Sequence, residues 1–184
     1  MANVLVPLAQ GCEELEAVTI IDLLRRAGIH VTSAGLDAAP VRASRGTVLL
    51  PDTTLDAVQD QDFDMIVLPG GLPGADHLDA DPRIHDLLQR LHADGKYVAA
   101  ICAAPKVLAS SGLLNGRRAT SYPGSLDGIN TEDLQYQQDA VVIDGTIITS
   151  RGPGTAMDFA LTLIEQLLGK QKRDEVETPL QRPA

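Results

Sequence analysis

YVAAICAAP, residues 97–105, is an apolar run that delivers a cysteine and is followed at once by small residues and a proline. The five residues from Tyr97 to Ile101 have the length and character of a buried strand. Pro105 suits the first turn of a helix, where its missing N–H costs no hydrogen bond. Cys102 therefore stands where a strand becomes a helix. Outward from this junction the same alternation recurs. Residues 4–9 read as a strand ending at Gln10-Gly11. Residues 13–27 carry Leu15, Val18, Ile21, Leu23 and Leu24 at helical spacing up to Gly28, and residues 29–34 form the next strand. Residues 65–68 form a strand running into Pro69-Gly70-Gly71, and helices are predicted over 82–93, 105–110 and 155–168. Two hairpins are predicted, 41–44 with 47–50 about Arg45-Gly46, and 140–143 with 146–149 about Asp144-Gly145. Strands alternating with helices predict an α/β fold with a doubly wound, mostly parallel sheet. No repeat or linker divides the chain. A single domain is expected over 1–184, with residues 170–184 a polar tail or short helix.

Composition agrees with a sheet covered by helices. Of the 184 residues, 44% are hydrophobic but only 3% aromatic, so the core must be aliphatic. The net charge of −10 argues against a nucleic-acid backbone or an anionic membrane as partner. Two cysteines, Cys12 and Cys102, are too few for a disulfide framework and read as reduced thiols of a cytoplasmic protein. The N-terminal residues lack the pattern of a signal peptide, and no apolar run reaches the ~20 residues of a membrane span.

Three strand ends carry unusual chemistry: Gly11-Cys12-Glu13-Glu14-Leu15-Glu16, Pro69-Gly70-Gly71 and Cys102-Ala103-Ala104-Pro105. Ligands of doubly wound sheets bind beyond the carboxyl ends of the strands, so these segments are expected to converge. Cys102 occupies the place of a nucleophile elbow, and the helix-start N–H groups near Ala103 and Ala104 should lower its pKa. Its position alone also fits a small buried hydrophobe. His30, His77, His85 and His92 all precede Cys102. The last three fall in a polar loop and a helix, so a Cys–His dyad and a zinc site both lack support. Glu13 and Glu14 suit the start of a helix dipole. Glu16 differs, lying among Leu15, Ala17 and Val18. A carboxyl there could share one proton with the thiol. Gly70 and Gly71 offer backbone N–H groups to an oxyanion. Gly70-Gly71-Leu72-Pro73-Gly74 is a weak match to a dinucleotide fingerprint, lacking its context. Arg151-Gly152-Pro153-Gly154-Thr155 reads equally as an anion-receiving helix start or as a plain turn and cap.

Taken together, Glu-Glu-Leu-Glu-Ala, Val-Leu-Pro-Gly-Gly, Ala-Ile-Cys-Ala-Ala-Pro and Thr-Ser-Arg-Gly-Pro-Gly-Thr resemble the ThiJ/PfpI superfamily. Within it they resemble the branch of the human parkinsonism-associated protein deglycase and bacterial YajL, in the same order from Val4 to about Leu168. The resemblance implies a flavodoxin-like three-layer sandwich, a homodimer, an oxidisable nucleophilic cysteine and no cofactor or metal. Matched by motif, the nucleophile is Cys102 and the protonated carboxyl Glu16. Gly70, Gly71 and Ala103 supply backbone groups, and Arg45, Tyr122 and Pro153 line the substrate pocket, Arg45 at the dimer contact. The implied activities are glutathione-independent glyoxalase and deglycation of methylglyoxal or glyoxal adducts on proteins and nucleotides, with chaperone and oxidative-stress roles. A redox sensor or redox-regulated chaperone acting through Cys102 is the alternative. Glutamine amidotransfer would need a histidine after the cysteine, and none follows. Protease-like members carry a histidine where Ala103 stands, so proteolysis is not expected. Some close relatives carry one where Tyr122 stands; if that histidine shuttles protons in them, Tyr122 must do so differently or not at all.

Overall fold

The first strand shows why the sheet is buried on both faces. In the computed structural model, which describes residues 1–182, β1 (Asn3–Leu8) is buried along nearly its whole length. Val4, Val6 and Leu8 join one apolar cluster, whereas Leu5 and the following Ala9 join the other. Alternation of side chains across a strand lets one short apolar run feed two cores.

The seven-stranded sheet has the order β10-β11-β7-β6-β1-β2-β5. Its other members are β2 (His30–Gly35), β5 (Thr53–Thr54), β6 (Met65–Leu68), β7 (Tyr97–Ile101), β10 (Val141–Asp144) and β11 (Ile147–Ser150). All neighbours pair in parallel except β10 with β11, where Asp144 faces Ile147 across the hairpin. Counted among themselves, the long parallel strands β2, β1, β6, β7 and β11 run in the flavodoxin-like order 2-1-3-4-5. The order reverses at β1, so a crevice opens between the ends of β1 and β6.

One face is covered by α1 (Glu14–Arg26), α6 (Ala156–Leu168) and α7 (Lys170–Glu177), through residues including Ile20, Leu24, Phe159, Ile164 and Val176. The other face is covered by α2 (Leu55–Val58), α3 (Gly74–Ala80), α4 (Pro82–Ala93) and α5 (Pro105–Ser110), through Leu55, Leu78, Leu88 and Leu108 among others. The result is a three-layer sandwich. Asp81 caps α4 by accepting the Arg83 N–H at 3.0 Å, with Pro82 in its first turn.

Several expectations need correction. Strand β1 begins at Asn3 and ends at Leu8, and α6 is preceded by a 3₁₀ turn over Pro153–Thr155. The first hairpin pairs only β3 (Val41–Arg42) with β4 (Val48–Leu49). The stripe of α1 facing the core is Glu16, Ala17, Ile20, Leu23 and Leu24, whereas Leu15 and Val18 are exposed. Helix α3 occupies what reads as a polar loop, so His77 is helical. The two-residue strands β5, β8 (Arg118–Ala119) and β9 (Gln135–Tyr136) are too short to leave a periodic signal. Part of the C-terminal tail is helix α7; Pro183 and Ala184 lie outside the described residues. No described helix is long and apolar enough to cross a membrane.

Candidate active site

The three strand-end segments do converge. They do so backbone against backbone, which explains their glycines. A Cβ on Gly71, whose φ is +90°, would sit 2.3 Å from the Glu13 nitrogen, and one on Gly74 would sit 2.6 Å from the Cys12 nitrogen. The Glu13 N–H donates to the Gly70 carbonyl at 2.8 Å, joining the start of α1 to the loop after β6. Gly70 in turn lies against the third segment. A Cβ there would approach the Cys102 Cβ to 2.7 Å and Glu16 Oε2 to 2.8 Å.

Cys102 has a φ of +64°, a left-handed conformation rare for a residue with a side chain. Its neighbours hold it there. The Cys102 N–H donates to the Ser150 carbonyl at 2.9 Å, and its carbonyl accepts the Tyr122 N–H at 2.8 Å. Cys102 is 8% exposed, and the backbone N–H groups of Gly71 and Ala103 favour the ionised form of its thiol. Glu16, fully buried, accepts the Gly70 N–H on Oε2 at 2.8 Å, while Oε1 has no hydrogen-bond partner among the described residues.

The electrostatics correct the expectation of a lowered thiol pKa. Burial pushes the Cys102 thiol up to about 12, with the charge and hydrogen bond of Glu16 adding to it, against the two N–H groups. Burial also pushes the Glu16 carboxyl up to about 7, against its hydrogen bonds with Gly70 and Cys102. Each ionised group opposes ionisation of the other, so the two share a proton as a unit. Glu16 is the first of the two to ionise, so the shared proton rests on the sulfur above neutral pH, and a thiolate facing the two N–H groups arises as that proton passes to Glu16.

Other candidate residues fall into place differently. Gly70, expected among the oxyanion donors, already gives its N–H to Glu16, which leaves Gly71 and Ala103 beside the sulfur. Glu13 and Glu14 do more than suit a dipole. Ser44 Oγ donates to Glu13 at 2.8 Å, and the Arg45 N–H donates to Glu14 at 3.0 Å. Desolvation opposes ionisation of Glu14, but N–H bonds from its own backbone, Arg45 and Thr47 outweigh it and hold the pKa at about 2. Arg45 itself is exposed on this tethered turn. Arg151 donates to the Gln138 carbonyl, and the Gly152 N–H is taken by Thr155 Oγ1 at 3.1 Å. The segment around Pro153 is thus a self-capped turn, not a ready anion site. His77 bonds the Gln10 carbonyl, and His85 bonds Ser111 and Asp79, all apart from the thiol. Cys12 is 1% exposed, and burial followed by the Glu14 charge pushes its thiol up to about 12. Among the described residues, no group of three His, Cys, Asp or Glu side chains is placed to hold a metal ion.

Two wall residues escape sequence reasoning. Ser150 is fully buried and anchors Cys102 through its carbonyl, and Gly152 borders the sulfur. The sequence marks both only as members of the motif Thr-Ser-Arg-Gly-Pro-Gly-Thr, which does not say what the turn touches.

The chain matches the model described as the DJ-1/PfpI family over residues 2–166. It is 47% identical over 176 residues to Protein dj-1beta of Drosophila melanogaster, covering 95% of this chain and 94% of that protein. Glutathione-independent glyoxalase DJR-1.2 of Caenorhabditis elegans is 37% identical over 179 residues, covering 97% and 95%. The crystal structure of Drosophila melanogaster DJ-1beta matches the fold with a TM-score of 0.94 at 46% identity, covering 100% of this chain and 99% of that one.

Proposed function

The chain belongs to the DJ-1/PfpI family, and from that membership we infer that it is a cysteine-dependent glyoxalase, converting 2-oxoaldehydes to 2-hydroxy acids without glutathione. The observation that carries this reading is the buried pair of Cys102 and Glu16, a nucleophile and a proton carrier sharing one site with directed N–H groups.

The Cys102 thiolate attacks the aldehyde carbon, forming a C–S bond as the carbonyl electron pair moves onto oxygen. The N–H groups of Gly71 and Ala103 lie beside that oxygen, and Glu16 donates its proton to give a hemithioacetal. Glu16, now a carboxylate, removes the proton from the former aldehyde carbon to give an enediolate and returns that proton to the adjacent carbon. The hydroxyl proton shifts to the neighbouring oxygen as the thioester carbonyl forms. The product is a 2-hydroxyacyl thioester. Water cleaves it, releases the 2-hydroxy acid, and restores the thiolate and the protonated carboxyl. Release of an early glycation adduct from a protein or nucleotide would begin from the same attack. Tyr122 and Pro153 flank the pocket in this scheme.

A homodimer is part of the proposal. Leu15 and Val18 on α1, with Val48 and Leu50 beyond the Arg45 turn, expose large apolar side chains on elements tied together by Glu14. A second copy covering them would bring Arg45 to the contact.

A redox role through Cys102 has its own support, since Glu16 and two N–H groups could hydrogen-bond new oxygens on its sulfur. The test is lactate formation from methylglyoxal in buffer free of amines and thiols, with wild type and Cys102→Ser. Turnover by wild type alone supports the enzyme, whereas none by either protein leaves the redox reading.

A further inference from the structure

The geometry points to Gly152 and Tyr122 as a rigid size filter beside Cys102, restricting the site to carbonyl compounds with small substituents on that flank. This inference deepens the proposed glyoxalase reading by naming what selects its substrate. A Cβ on Gly152 would lie 4.0 Å from Cys102 Sγ and 3.3 Å from Tyr122 Cδ2. A side chain at position 152 would therefore stand against both the sulfur and the aromatic ring, in space that glycine leaves open. Gly152 is extended, at a φ of 167°, so its backbone does not demand glycine. The reason for glycine here is space.

The backbone that carries the wall hangs from the same anchors as the nucleophile. Ser150 accepts the Cys102 N–H on its carbonyl at 2.9 Å, and its hydroxyl meets Thr155 Oγ1 at 2.7 Å. Thr155 in turn binds both sides of Gly152, accepting its N–H at 3.1 Å and donating to its carbonyl at 3.0 Å. Tyr122 gives its own N–H to the Cys102 carbonyl at 2.8 Å. Ser121 Oγ and the Ser125 N–H both donate to the Tyr122 carbonyl, and Tyr136 braces the turn by donating to the Ser121 carbonyl at 3.1 Å. Three short hydrogen-bond paths thus return to Cys102 or its strand neighbour. Tyr122 is 53% exposed, so its ring can be removed without opening the core.

Alkylation of Cys102 tests the filter directly, because it needs the thiol and the wall but no turnover. Rates with iodoacetamide and with the bulkier N-phenylmaleimide are measured by peptide mass mapping at Cys102. Tyr122→Ala should raise the phenylmaleimide-to-iodoacetamide ratio by about tenfold or more, the scale at which pockets discriminate one substituent. Tyr122→Phe should leave that ratio within about twofold of wild type, since the ring rather than the hydroxyl forms the wall. An unchanged ratio in Tyr122→Ala overturns the inference, as does an equal change in Tyr122→Phe. Preference for phenylglyoxal over glyoxal, measured as the ratio of kcat/KM values, should follow the alkylation ratio in each variant. Absence of aldehyde turnover in wild type would sink the glyoxalase reading alone, while the alkylation ratios still decide the filter.

Discussion

Replacing Glu16 by Gln should yield a protein that is less active but more stable above neutral pH. Burial is the main reason that the Glu16 carboxyl rises from 4.5 to about 7, and its hydrogen bonds with Gly70 and Cys102 only partly offset it. A folded pKa above the unfolded one means that the fold favours the protonated form. That contribution is complete below pH 4.5 and is lost as pH climbs to about 7. At about 1.4 kcal/mol per pH unit, the loss comes to about 3 kcal/mol. Gln keeps an acceptor for the Gly70 N–H and a donor toward the sulfur, but has no charge to bury. The stability of Glu16→Gln relative to wild type should therefore grow by about 3 kcal/mol between pH 4.5 and pH 8, or about 6–12 °C in Tm for a domain of this size. Cys102, pushed up to about 12, does not titrate in that window. Urea denaturation of both proteins across the range is the assay. Stability curves that run parallel to within about 0.5 kcal/mol would refute the buried, proton-sharing carboxyl. A variant that is destabilised at every pH, with normal activity per folded molecule, would make Glu16 purely structural.

Cys102→Ser should abolish 2-oxoaldehyde turnover while circular dichroism and urea midpoint stay near wild type, because a hydroxyl without a base is a far weaker nucleophile. Equal turnover would remove Cys102 from the chemistry. Mild peroxide should convert Cys102 to the sulfinate while Cys12 stays reduced. Cys102 is the more exposed thiol and has two N–H donors, whereas Cys12 faces the Glu14 charge. Mass mapping that shows Cys12 oxidised first would contradict this. Analytical ultracentrifugation at micromolar concentration should show a dimer, and Leu15→Glu with Val18→Glu should shift it to monomer. A wild-type monomer would leave the exposed face of α1 without the proposed partner.

Much of the architecture was legible in the chain because short, apolar, aliphatic runs separated by helical periodicity have few ways to be buried. Residues 65–68 and 97–101 could hardly be anything but central strands, and Cys102 before Pro105 marked its own junction. Glu16 could be singled out because a carboxylate amid apolar neighbours demands a reason to be buried. Which face of α1 turned inward was not legible. Leu15, Val18 and Ile21 follow helical spacing as well as Ala17, Ile20 and Leu24 do, and periodicity does not say which stripe meets the sheet.

The sequence by itself determined the kinds of elements, their order and the residues able to carry chemistry, because these depend on local spacing and side-chain type. Only the tertiary structure decided how those residues act on one another. The Gly70 N–H reaches Glu16 across 54 positions of sequence, and that contact reassigns an expected oxyanion donor to the proton carrier. Burial by several elements at once raises the thiol and carboxyl pKa values, so the isolated helix start could not reveal the shared proton. The space beside Gly152, bounded by Tyr122 and Cys102, likewise joins three segments that no local pattern connects. Desolvation and close approach are properties of the assembled packing, and they act here between residues that the chain keeps far apart.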